Sequence, residues 1–261
     1  MKEKEITVIL PIHKWDENYK EMFLTAFKSV EEFYNDVNLI IVSTPTINSE
    51  ISNLNLITNL SVLKISNKEK TDFCSQVNLG LSSCKTKWFS ILEIDDVYRK
   101  NWLKEMNNYI LKYQNVDVFL PIVEDNNTNG EFLSYTNESV WAYGFSETQG
   151  FLDNEILLDF QNYQLSGGLL KTELFKEDVF LKDNIKLTFN YELLLRLTHN
   201  EKKIMVIPKV LYNHINFRED SLFWNYKNGE DKLSEKEFEF WFNTAKHEFF
   251  FNQKREINFV E

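Results

Sequence analysis

Only seven glycines and four prolines punctuate the 261 residues, so regular elements should run long and turns should be few. The two cysteines, Cys74 and Cys84, stand at no metal or redox spacing. That argues against a disulfide framework or a zinc site and for buried thiols in a reducing compartment. No apolar run approaches the roughly 18 residues a membrane span needs. The opening MKEKEITVILPIHKWD lacks a signal-peptide core with a cleavage site, so the expectation is a cytoplasmic protein. Positive charge is also short: 29 basic against 40 acidic residues give a net charge of −11, with no Lys/Arg block. The summed field repels phosphates, which disfavours nonspecific binding to nucleic acid or anionic membrane. An anionic ligand would need a metal ion as intermediary. No glycine-rich phosphate loop follows the first strand, which counts against a nucleotidyltransferase.

What the chain does have is apolar and aromatic material: 43% hydrophobic residues and 22 phenylalanines, ample for a core. EITVILPI (5–12) is a continuous apolar run ended by Pro11, the pattern of a central strand buried on both faces. Tyr19, Phe23, Phe27 and Val30 recur at helical spacing and predict a helix over 18–34. Further strands are predicted at 37–44, 60–66, 88–94 and 116–124, with helices from Phe73 past Leu81 and from Trp102 to about Tyr113. Strand and helix in alternation argue for a mostly parallel sheet with helices on both faces. The pattern loosens from about 125 to 165 around a hairpin at Asn129-Gly130. Beyond it come a helix over 190–200 and a strand over 202–214. A last helix carries Phe238, Phe242, Ala245 and Phe249 on one face, with Ser234 as its N-cap. The domain expectation is one unit over 1–221 and a helical extension over 222–261. That extension packs on the domain or on a partner, and so could support a homo-oligomer.

One strand end stands out. WFSILEI runs straight into Glu93-Ile94-Asp95-Asp96, and ligands of such sheets sit at the carboxyl ends of strands. Residues two apart share a strand face, so Glu93 and Asp95 point one way while Asp96 begins a turn. Oxygen donors converging there suit Mg²⁺ or Mn²⁺. The other reading is a solvated turn, with Asp96 as N-cap of the next helix. Spacing alone leaves both open.

ITVILPIHKWDENYKEMFLTAFKSV, CSQVNLGLSSCKTKWFSILEIDDVYRKNWL, SGGLLKTELF, NYELLLRL and VLYNH together resemble, in order, the landmarks of family 2 glycosyltransferases with the GT-A fold. The resemblance spans roughly residues 6–215. It implies transfer of a sugar from a UDP- or GDP-linked donor to a glycan or other hydroxyl acceptor, with inversion, using Mn²⁺ or Mg²⁺. The family's metal-binding D-x-D falls on Glu93 and Asp95, with Asp96 beside them. Pro11, Ile12 and His13 match the strand end where the nucleotide base lies. Gln76, Asn78 and Gly80 match a donor-side motif that simple helix packing explains equally well. Gly167 and Gly168 match small residues near the acceptor, or else serve a turn that needs positive φ. His214 matches a position near the diphosphate and joins the metal set, unless it is only a hydrogen-bonded histidine.

Two departures accompany the resemblance. The second strand ends in Ser43, Thr44 and Thr46 where the family places Asp, and Ser43 is the candidate contact to the nucleotide. The position of the family's catalytic base holds Asn190, whose amide cannot accept a proton at neutral pH. Glu192 and Asp183 are the candidate replacements. An alternative is therefore a GT-A module that binds without turnover.

Overall fold

The computed structural model describes residues 4–68, 70–176, 179–216 and 218–251. Its centre is β1 (Ile6–Ile12), whose seven residues are all buried. Two parallel neighbours flank it: β2 (Val37–Ser43) and β4 (Trp88–Ile91). β3 (Ser61–Ser66) adds in parallel outside β2. The continuous apolar reading of β1 thus has its cause in structure. Leu10 and Ile12 face one core cluster and Ile9 the other, because alternate side chains serve opposite faces.

Beyond β4 the sheet turns mixed. Among the described residues the strand order is β3-β2-β1-β4-β9-β6-β10-β5. β6 (Val118–Asn126) and β10 (Ile204–Ile215) pair in parallel. The short β9 (Leu169–Lys171) wedges antiparallel between β4 and β6. β5 (Val97–Tyr98) runs antiparallel along the outer side of β10. β7 (Phe132–Thr136) returns on β6 across the expected Asn129-Gly130 turn, and β8 (Phe151–Leu152) pairs with β10.

Helices cover both faces. On one, α1 (Glu17–Glu31) buries Tyr19, Phe23, Ala26, Phe27 and Val30, and α4 (Trp102–Lys112) buries Trp102 and Met106. α2 (Pro45–Asn53) joins that side through Ile47 and Ile51. It was not expected, although Thr44 caps it through Ile47 N and Pro45 opens it, a standard helix start. On the other face lie α3 (Phe73–Ser82), α5 (Asn154–Asp159) and α6 (Phe189–His199). α7 (Leu222–Asn228) and α8 (Glu235–Phe251) follow. α8 lies on α6: Ala245 is fully buried, Phe242 meets the Tyr191 ring at 5.9 Å, and Thr188 Oγ1 donates to Trp241 O at 2.9 Å. Ser234 caps it as expected, accepting from Glu237 N while Glu237 accepts from Ser234 N, a capping box. The Phe249 side chain lies outside the described residues.

Candidate functional site

The acidic run 93–96 links β4 to β5, and β5 is tied to β10. This path carries the acids to the carboxyl end of the sheet and brings them against β10. Backbone and side-chain hydrogen bonds fix the run. Tyr212 Oη accepts from Glu93 N at 3.1 Å, Ser166 donates to Glu93 Oε1 at 2.6 Å, and Ile215 N donates to Asp96 Oδ1 at 3.0 Å. The expected N-cap role of Asp96 does not occur: β5 intervenes, and Asn101 precedes α4. Asp96 is instead fully buried behind His214, whose Nδ1 it holds at 3.0 Å. With Nδ1 so engaged, Nε2 has no hydrogen-bond partner among the described residues. Glu93, Asp96 and His214 offer ligand atoms within 4.8 Å of one another.

Asp95 has a different partner. Its Oδ2 accepts from Arg218 Nε at 2.8 Å, with both side chains only 8% exposed. Arg218 also donates to Tyr19 Oη at 2.9 Å and to Asp220. Crowding shows in the protonation equilibria. Burial, then the Asp96 charge, pushes the Glu93 carboxyl up to about 7, against the pull of His214. Burial and Asp96 also raise Asp95, outweighing Arg218. Burial by itself lowers His214, but the Asp96 charge and hydrogen bond overcome it and lift the ring to about 10. Such a cluster is short of positive charge, which is the electrostatic condition a divalent ion relieves.

A cavity of about 680 Å³ opens beside this cluster. Of the residues expected at a nucleotide sugar, Pro11, His13, Glu93, Asp95 and His214 reach its wall. Ile12 is buried in the core, and its carbonyl accepts from Gln76 Nε2 at 3.2 Å, so Gln76 anchors the loop after β1. The Ser43 hydroxyl is buried and turned to Thr44 O. Asn78 clips the backbone of Leu181 in both directions. Gly80 is helix packing: a Cβ there would come within 2.6 Å of Ile9 Cγ2. Gly167, at φ +79°, lies under the Tyr212 ring, and Gly168 packs on Phe119 O. Neither glycine reaches the cavity wall.

Glu192 must be corrected as a base. It is fully buried away from the cavity and held at 3.0 Å by both Arg196 and Lys182. So paired and off the cavity wall, it anchors α6 and does not face a substrate. Asp183 is on the wall, but it is exposed and ion-paired to Lys70, whose hydrogen bond lowers its pKa. Asn190 does face the cavity, and its buried Oδ1 finds no hydrogen-bond partner among the described residues.

Arg218 and Asp125 on the wall were not expected from sequence. Arg218 lies 123 positions from Asp95 in no periodic element. Asp125 lies next to the end of β6, a strand-end signal like the one that marked Glu93, one residue past the predicted strand.

The family model for glycosyl transferase family 2 matches residues 7–167. Over 117 residues the chain is 21% identical to an uncharacterized glycosyltransferase of Haemophilus influenzae, covering 43% of this chain and 36% of the relative. S. aureus TarS 1-349 in complex with UDP-GlcNAc superposes with a TM-score of 0.65 at 15% identity, over 92% of this chain and 65% of that one. A mannosyltransferase from Pyrobaculum calidifontis, solved with GDP-Man and Mn²⁺, gives 0.63 at 10% identity, over 96% and 71%. The fold is thus the GT-A arrangement. With well over half of its length in the family match, the chain belongs to glycosyl transferase family 2.

Proposed function

We propose that the chain is a metal-dependent glycosyltransferase that moves a sugar from a UDP- or GDP-linked donor to a hydroxyl acceptor with inversion. The observation that carries this reading is the convergence of Glu93, Asp96 and His214 within 4.8 Å beside the cavity. Glu93 and His214 Nε2 would hold the ion, Asp95 flanks them, and Asp96 orients the ring, as partners of metal-bound histidines do. When bound, the ion offsets the charge of a departing nucleoside diphosphate. Arg218 supplies fixed positive charge on the same wall, and Pro11 and His13 border the space for the nucleoside. The nucleotide sugars held by the TarS and mannosyltransferase structures support this donor class.

The second reading, a module that binds without turnover, is favoured by Asn190 at the family's base position. A melting measurement and a turnover measurement separate the two. Mn²⁺ with UDP or GDP is expected to raise the melting temperature through linkage, worth about 2.7 kcal/mol at a hundredfold excess over Kd. Glu93→Gln and His214→Ala should each lose that gain. No gain with either nucleotide sinks both readings, and a gain without nucleotide release from UDP-GlcNAc or GDP-mannose leaves the module.

A further inference from the structure

We propose that Asp125 is the general base that replaces the family's missing carboxylate. The inference rests on the glycosyltransferase reading above and names the group that makes turnover possible. Five carboxylates line the cavity among the described residues: Asp72, Glu93, Asp95, Asp125 and Asp183. Four are committed elsewhere. Asp72 caps α3 through Ser75 N, Asp183 pairs with Lys70, Asp95 pairs with Arg218, and Glu93 belongs to the metal cluster. Asp125 forms no ion pair with Lys or Arg among the described residues.

Its surroundings suit the role. The residue is 3% exposed, so water competes little for it. Both donors it receives, Thr136 Oγ1 at 2.6 Å and Ser134 Oγ at 3.2 Å, fall on Oδ2. These bonds lock the carboxylate, and Oδ1 has no partner among the described residues. The β6–β10 register pairs Asp125 with His214, and partners on parallel strands share a face about 5 Å apart. Both residues line the cavity, so a sugar whose diphosphate lay at His214 would have its reacting carbon on the Asp125 side of the wall. In the step, the acceptor oxygen bonds to the anomeric carbon and its proton passes to Asp125 Oδ1. The bond from that carbon to the diphosphate oxygen breaks, and the nucleoside diphosphate leaves with the electron pair.

The test uses the full chain with Mn²⁺ and UDP-GlcNAc or GDP-mannose, following nucleotide release with water as acceptor. Asp125→Asn is expected to slow release by about 10²–10⁴-fold. The melting gain with Mn²⁺ and UDP or GDP should stay at the wild-type value. Adding Asn190→Asp to that variant should restore part of the rate, because it returns a carboxylate to the family position. Release within threefold of wild type, or loss of the melting gain together with the rate, overturns the assignment. Wild-type chain that binds nucleotide yet releases none from either donor overturns the parent reading, and this one with it.

Discussion

Glu192 and Asp125 show how differently two buried acids of one protein can be used. Glu192 sits between Arg196 and Lys182 with no exposed surface. Removing one member of such a group leaves buried charge uncompensated, which typically costs about 3–5 kcal/mol. Glu192→Ala is therefore expected to lower unfolding free energy by that amount in urea titration. The fraction that remains folded should still take up Mn²⁺ and nucleotide, since the residue is off the cavity. The sequence singles out Glu192 and Asp183 as candidate bases and does not point to Asp125. Glu192 lay near Asn190 on the aligned helix, whereas the rotation of α6 carries it to Arg196 one turn on. The acid run at 93–96 was legible because a strand end in a parallel sheet has a known destination. Arg218 was not, since its link to Asp95 spans 123 residues with no repeat or spacing to announce it.

Elements were legible in proportion to their length and to the evenness of their burial. β1, with every residue buried, and α1, with its apolar stripe, follow from periodicity alone. β5, β8 and β9, of two or three residues each, are too short to carry a period, and tertiary pairing creates them. One small position in this region has large leverage. Gly167 holds φ +79°, and a Cβ there would meet the Tyr212 ring at 2.4 Å. Gly167→Ala should cost at least about 2 kcal/mol, from left-handed backbone strain and overpacking together. It should also weaken the nucleotide-linked melting gain, because Tyr212 Oη accepts from Glu93 N. By contrast Ser234→Ala, which deletes the cap of α8, is expected to cost about 1 kcal/mol and leave that gain intact. Denaturation with and without nucleotide compares the two.

At the scale of the whole molecule, acid sensitivity has an identifiable contributor. Burial first, then Lys14, lowers His13 to about 4, below the ordinary value of about 6.5 in an unfolded chain. Between those values the unfolded state takes the proton and the native state does not. The stability due to neutral His13 is thus complete above about pH 6.5 and declines as pH falls toward 4, by at most about 1.4 kcal/mol per pH unit. His13→Gln is expected to flatten the difference in unfolding free energy between pH 7 and pH 4.5. An equally steep loss in the variant would assign the sensitivity to other groups.

The cavity is assembled from two sources of unequal kinship. Pro11, Glu93 and Asp125 come from the stretch that the family model spans, residues 7–167. Phe223 and Tyr226, on the helix α7, line the cavity from beyond that stretch. A graft that replaces 221–226 therefore redraws that lining while the acid cluster keeps its own supports. Here the lining contributed by α7 can vary while the contacts that hold Glu93, Asp95 and Asp96 stay in place.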